Sequence, residues 1–229
     1  MLALLYDVHG NLGALDTVLA DAERAGARRY LLGGDYALFG PYPVETVERL
    51  RSLDAEWIRG NGERWTASPA DAPEDEVVQS AISACREALG PTVVDELAAL
   101  PERVERDGVL YCHASPISDV RSFMPAPGDD EDELLTGVEA PRVVFGHTHL
   151  PFRRRAENGA ELLNPGSVGM PFDGDPRAAY ALVDEHGEVE HRRVEYDSAA
   201  SAAALRERFS EPFAETVARR IEQGRVDVA

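Results

Sequence analysis

Four of the six histidines in this chain stand at the ends of short apolar runs, and carboxylates or an Asn keep them company. Asp7 and His9 follow Leu2 to Tyr6; Asp35 follows Tyr30 to Leu32 across two glycines; Asn61 follows Ala55 to Arg59 across one. His113 follows Val109 to Cys112, and His147 and His149 follow Arg142 to Phe145. Taken singly each is weak, since a lone histidine more often packs than ligates and a Gly-Asp after a strand is mostly a turn. The H-x-H pair says more, because at strand spacing its two imidazoles share a face and both can reach metal. Mixed imidazole, carboxylate and amide donors suit Zn²⁺, Mn²⁺ or Fe better than Ca²⁺. The other two histidines, His186 and His191, fall in a C-terminal hairpin and read as surface residues.

These donors need a scaffold that gathers them. Apolar runs at 2–6, 30–32 and 55–59 read as strands, with helices over 12–25, closed by Gly26, and over 43–53. Strand, polar loop and helix thus repeat through residue 63, which predicts a largely parallel sheet. In an open α/β sheet the loops beyond the strands' carboxyl ends meet in one crevice. Residues 66–75 read as a loop, and 76–89 and 91–99 as helices parted by Gly90-Pro91. A hairpin turns at Asp107-Gly108, and the acidic run Asp129 to Glu133 is a solvated loop or helix start. Arg142 to Phe145 is a further strand, and hairpins at Asn158-Gly159 and His186-Gly187 fill 152–195. Amphipathic helices over about 198–222 could cover the sheet or make a homo-oligomer contact. With no repeat and no linker, residues 1–229 read as one α/β domain.

Composition narrows the functional classes. The 229 residues carry 23 Arg, no Lys and 42 acidic residues, a net charge of −19. Such a surface repels nucleic acid and anionic membrane, so general binding of either is excluded. The all-arginine usage fits codon bias in a GC-rich genome or adaptation to high salt; the latter requires thermal stability to rise in molar salt. Cys85 and Cys112 form no disulfide framework. No apolar stretch approaches a signal peptide or the ~20 residues of a bilayer span. A reduced, cytoplasmic location is expected.

The ordered set Asp7-Val8-His9, Gly34-Asp35, Gly60-Asn61-Gly62-Glu63, His113 within YCHASP, and Gly146-His147-Thr148-His149 resembles the calcineurin-like metallophosphoesterase superfamily. The runs Asp7 to Asn11, Gly40-Pro41-Tyr42-Pro43 and Asn164 to Gly169 are similar to its small bacterial and archaeal phosphodiesterase branch. The resemblance implies a four-layer αββα sandwich, two mixed sheets flanked by helices with metals at one edge. It also implies two divalent ions, Mn²⁺ first with Zn²⁺, Fe or Ni²⁺ as alternatives. Asp7, His9 and His149 would hold one, Asn61, His113 and His147 the other, and Asp35 both. A bridging water, deprotonated between the ions, would attack the phosphorus of a small phosphoester. Two ions less two ligand carboxylates leave about +2, enough to draw phosphate into an acidic protein.

One departure bears on substrate. Where many relatives place a His after the Asn, this chain has Gly62, which has no proton to give a leaving group, and general acid help is worth ~10²–10⁴ in rate. The loss favours substrates with good leaving groups, or a substitute acid from elsewhere. Related small enzymes often lack this His and resemble phosphodiesterases, so the resemblance implies diesters over monoesters, and a His restored at 62 should raise activity on monoesters relative to diesters. Glu63, without that His, is expected to pair with Arg64 or a surface group. Asn11 is expected to cap the following helix, and Asn164 to Ser167 to form a tight turn with no catalytic role. Phosphomonoesterase, dinucleoside polyphosphate hydrolase and a non-catalytic scaffold on the same fold are the alternatives.

Overall fold

The computed structural model describes residues 1–227. Apolar side chains alternate along β1 (Leu2–Leu5) and β2 (Arg29–Leu32): Leu4 and Leu31 face one way, Ala3, Leu5, Tyr30 and Leu32 the other. Period-two burial on both faces is what a covered sheet requires. β1 and β2 pair in parallel, and β2 pairs in parallel with β3 (Ala55–Trp57). The connections are α1 (Leu12–Arg24) and α2 (Pro43–Arg51). β9 (Ala178–Val183) and β10 (Val189–Val194) complete the sheet antiparallel, in the order β10-β9-β1-β2-β3.

The second sheet has the order β4-β5-β6-β8-β7. Its central strands β5 (Val109–Cys112), β6 (Arg142–Val144) and β8 (Glu161–Asn164) are parallel. Its edges β4 (Arg103–Arg106) and β7 (Phe152–Arg155) are antiparallel. Leu4, Tyr6, Leu31 and Ile58 from the first sheet pack on Tyr111, Val144 and Leu163 from the second, so the sheets face each other.

Outside the first sheet lie α1, α2, α4 (Glu76–Ala98), α6 (Ser198–Arg208) and α7 (Pro212–Gln223). α4 is two helices joined at Gly90, whose φ of 72° opens a kink that Pro91 then follows, as the Gly-Pro pair predicts. The C-terminal helices cover the sheet: Ala202, Leu205, Phe213, Val217 and Ile221 are buried in its outer core. Outside the second sheet, Leu134 and Leu135 of and beside the short α5 (Glu131–Leu134) pack on Phe123, Val143 and Phe145. The acidic run is therefore partly anchored: Glu131 is buried and pairs with Arg154.

Two boundaries differ from the sequence reading. Asn61 to Ala67 is a helix, α3, and residues 69–71 form a 3₁₀ turn rather than open loop. Gly60 at its N-cap accepts no side-chain bond, and Glu63 in its first turn supplies the acceptor instead.

Candidate metal centre

All seven candidate residues meet at one edge of the sandwich, beyond the carboxyl ends of β1, β2, β3, β5 and β6. Backbone ladders continue past the strands and set the spacing: Asp7 N–H donates to Gly34 O at 3.2 Å, His9 N–H to Asp35 O at 2.9 Å, and Gly146 N–H to His113 O at 2.7 Å. Asp7, His9, Asp35, Asn61, His113 and His149 are each at least 96% buried, and His147 is half-buried.

Three imidazoles are fixed in one tautomer. The Nδ1–H of His9 donates to Leu38 O (2.9 Å), that of His113 to Gly33 O (2.8 Å) and that of His149 to Met170 O (2.6 Å). A carbonyl only accepts, so each Nδ1 carries a proton, and in its neutral form each ring turns an Nε2 lone pair inward. Phe172 stacks on His149 with ring centroids 4.4 Å apart.

What those lone pairs face is the test of metal binding. His9 Nε2 lies 3.1 Å from His149 Nε2, and His149 Nε2 lies 3.5 Å from Asp7 Oδ1. Asp7 Oδ1 is buried with no hydrogen-bond partner, while Oδ2 accepts from His147 N–H at 3.0 Å. Asp35 turns Oδ2 toward His9 Nε2 (3.8 Å) and Oδ1 toward His113 Nε2 (3.5 Å). The Asn61 amide sits 2.9 Å from His113 Nε2 and 2.8 Å from His147 Nδ1. Lone pairs thus converge at two places, Asp7-His9-His149 and Asp7-Asp35-His113, with Asn61 and His147 beside the second. Orphaned acceptors at this density cost free energy unless cations or protons sit between them. The donor set fits divalent transition ions.

Protonation follows from the same crowding. Burial, followed by the neighbouring His149 charge, pushes His9 down to about 3. Burial and then His113 push His147 down to about 4, so both are neutral at pH 7. Burial raises the Asp35 carboxyl to about 7, helped by Glu63 and Asp7, although His113 pulls the other way. Asp7 is also buried, but His149 and the other rings more than offset that and hold it well below the carboxylate range. Burial works against a charged His113, yet Asp35 and Asp7 raise its pKa.

Supporting residues correct the sequence reading in three places. Glu63 does not pair with Arg64. It is buried and accepts from Asp35 N–H (2.9 Å), Gly60 N–H (2.8 Å) and Tyr36 N–H (2.8 Å), so it holds the loop that presents Asp35. Arg64 instead grips Asp119 through two bonds of 2.6 and 2.7 Å.

Gly62 has no room for a side chain. Its N–H donates to Asp35 Oδ1 at 2.7 Å, and a Cβ there would stand 2.8 Å from the same oxygen. The expected gain from a His at 62 therefore meets displacement of Asp35 first.

His147 and His149 do not share a strand face: both lie beyond β6 with φ of 66° and 59°, and their rings part, one to Asn61 and the other to His9. As expected, Asn11 caps α1 through Ala14 N–H, and it also donates to Gly169 O at 2.8 Å. The Asn164 to Gly169 turn does more than reverse the chain: Ser167 Oγ and Gly169 N–H both donate to Asp7 O, at 2.7 and 3.0 Å. His186 is exposed, and His191, also solvent-facing, donates Nε2–H to Asn164 O at 2.8 Å.

Residues 1–188 match the calcineurin-like phosphoesterase superfamily domain, and the chain belongs to that superfamily. It is 28% identical to a metallophosphoesterase of Sphaerobacter thermophilus of known structure, with a TM-score of 0.84 over 97% of this chain and 98% of that one. A phosphodiesterase of Escherichia coli, YfcE, is 26% identical over 205 residues, 80% of this chain and 88% of that protein. An uncharacterised protein of Methanocaldococcus jannaschii is 29% identical over 217 residues, 86% of this chain and 88% of its own. The fold is the two-sheet mixed α/β sandwich of this superfamily, and its metal-dependent phosphoester chemistry is the coarse activity of the class.

Proposed function

We propose that this protein is a dinuclear metal-dependent phosphodiesterase acting on a small phosphoester. Asp7, His9 and His149 hold one ion; Asn61, His113 and His147 hold the second; Asp35 is shared. The observation that carries the reading is the buried convergence of lone pairs around Asp7 Oδ1, which has no hydrogen-bond partner. Asp35 supports its shared role by turning one oxygen to His9 and the other to His113. Two divalent ions, Mn²⁺ ahead of Zn²⁺, Fe or Ni²⁺, supply Lewis acidity that makes water a nucleophile near neutral pH and offsets charge on phosphoryl oxygens.

The chain's own residues supply position and charge. Carbonyls of Gly33, Leu38 and Met170 orient three rings, and Glu63 fixes the Asp35 loop. Diester preference is supported by Gly62, which offers no acid for a poor leaving group and lies against Asp35. The Escherichia coli relative bears the name phosphodiesterase, which agrees with this preference.

The test is metal analysis of the purified protein together with hydrolysis of bis(p-nitrophenyl) phosphate and p-nitrophenyl phosphate in Mn²⁺. Faster diester turnover, abolished by EDTA, is expected. Turnover of the monoester alone would make this a phosphomonoesterase, and a folded protein that binds no metal would make it a scaffold.

A further inference from the structure

The superfamily match ends at residue 188, yet the chain beyond it returns to the metal centre. Tyr196 lies between β10 and α6, and Ser201 is buried near the start of α6. Both reach one side chain, Asn11, two residues after His9 and buried at the N-cap of α1.

A primary amide accepts two hydrogen bonds through its oxygen and donates two through its nitrogen. Asn11 uses all four. Its Oδ1 accepts from Ala14 N–H (3.3 Å) and from the Ser201 hydroxyl (2.9 Å). Its Nδ2 donates to Gly169 O (2.8 Å) and to the Tyr196 hydroxyl (3.2 Å). Ala14 and Gly169 decide which end of the amide is oxygen, and they leave one acceptor and one donor position of a buried group open. Both are filled from beyond residue 188. A buried polar atom without a partner is costly, so the two hydroxyls help to fix where Asn11 sits.

That position bears on three ligands. Asn11 holds the carbonyl of Gly169, whose N–H donates to Asp7 O at 3.0 Å, and Met170, the next residue, accepts the Nδ1–H of His149 at 2.6 Å. Asn11 N–H in turn donates to Val8 O at 3.1 Å, between Asp7 and His9. There is no slack between these segments. A Cβ on Gly169 would stand 1.9 Å from Val8 O and 3.1 Å from Asn11 Cβ. Movement of Asn11 is therefore passed to Asp7, His9 and His149 together.

We propose that Tyr196 and Ser201 are positioning residues for the ion that Asp7, His9 and His149 hold. Through Asn11 they set the spacing of this ligand triad, so their loss weakens one ion and spares the other. The inference rests on the two-ion reading and gives the segment beyond the superfamily match a part in metal binding.

The experiment measures Mn²⁺ binding by titration calorimetry in two backgrounds. His147→Ala keeps the Asp7-His9-His149 triad; His9→Ala breaks it and keeps the other ligands. Tyr196→Phe combined with Ser201→Ala removes two hydroxyl oxygens and little else. In the His147→Ala background this pair should weaken Mn²⁺ about tenfold, the lower end of what partners of metal ligands contribute. In the His9→Ala background the change should stay below about twofold, a difference that a general loss of stability does not produce. Each single variant should account for about threefold, which keeps the test open if the pair does not fold. Ser201→Thr, which retains a hydroxyl, should bind Mn²⁺ more tightly than Ser201→Ala. Thermal unfolding in EDTA separates position from stability: a lower midpoint with unchanged Mn²⁺ affinity makes the hydroxyls structural only and overturns the proposal. Equal losses in the two backgrounds overturn it as well. A folded His147→Ala protein that binds no Mn²⁺ overturns the two-ion reading itself.

Discussion

Glu63→Gln removes one oxygen and one charge from a buried carboxylate that accepts three backbone N–H groups. The amide of the variant must point its NH₂ at one of two places. Set toward Tyr36 it loses one bond; set toward Asp35 and Gly60 it loses two, so the first placement wins. One N–H, on a residue that is fully buried, is then left facing another donor, at about 1–3 kcal/mol. The two surviving bonds change from charge-assisted to neutral and weaken by about 1 kcal/mol each. The total is about 3–5 kcal/mol, a large part of the stability of an ordinary domain. At about 2–4 °C per kcal/mol for a chain of this size, the midpoint should fall by roughly 6–20 °C. Differential scanning calorimetry in EDTA measures it without metal masking the loss. Because the same bonds hold the Asp35 loop, Mn²⁺ affinity by titration calorimetry should drop as well, by roughly 10–100-fold. A midpoint within 2 °C of wild type and an unchanged Mn²⁺ affinity would show that Glu63 does not hold this loop.

Three further outcomes can be measured. Asp35→Asn should weaken both metal sites and cut diester turnover by more than about 100-fold, beyond the usual cost of losing a supporting partner; unchanged turnover removes Asp35 from the shared position. Gly62→Ala should lower metal content and activity on monoester and diester together, because its Cβ would meet Asp35 Oδ1 at 2.8 Å. A rise in the monoester-to-diester ratio for Gly62→His at full metal content would instead show that α3 can shift. Mn²⁺ affinity of the metal-free protein should fall about tenfold per unit as pH drops below about 7, because the Asp35 carboxyl, raised to about 7, must give up its proton to bind. The same raised pKa favours the metal-free fold below about pH 4 and is lost as pH climbs through 7. Titration calorimetry from pH 5.5 to 8.5 that returns a flat affinity would sink the assignment.

The elements and the grouping of the candidate residues were legible because each carries a local signal. The apolar runs mark β1, β2, β5 and β6, the Gly90-Pro91 pair marks the kink in α4, and the two hairpin turns fall where Asn158-Gly159 and His186-Gly187 predict them. The order of short motifs predicts that seven side chains share one crevice, and the structure brings those seven together at one edge. The role of Glu63 was not legible. Its partners are backbone N–H groups of Asp35 and Tyr36, nearly thirty residues earlier, and a backbone donor has no letter in a sequence. What lies beside Gly62 was not legible for a related reason: the missing side chain can be read in the sequence, but the Asp35 oxygen that its N–H holds against it cannot.

Backbone conformation explains why the strand geometry expected for H-x-H does not hold. Among the described residues, seven that are not glycine have positive φ, and five of them are Asp7 (55°), His9 (48°), Asp35 (56°), His147 (66°) and His149 (59°). A strand that simply continued would keep residues two apart, His147 and His149 among them, on one face of the sheet. A left-handed turn after the strand redirects the chain, so that residues two apart both reach the edge but approach it from different sides. His147 meets Asn61 while His149 meets His9, although only Thr148 separates them. Asp and His enter this region more readily than β-branched residues, yet each such residue still costs on the order of 1 kcal/mol or more. Glycine would remove the cost and the ligand together. The strain persists because neighbours over-determine it: Ser167 and Gly169 clamp Asp7 O, Asp35 O accepts from His9, and Glu63 takes the N–H of Asp35. The Asn164 to Gly169 turn, which offers no side chain to the candidate centre, is therefore as much a part of it as the residues that point into it.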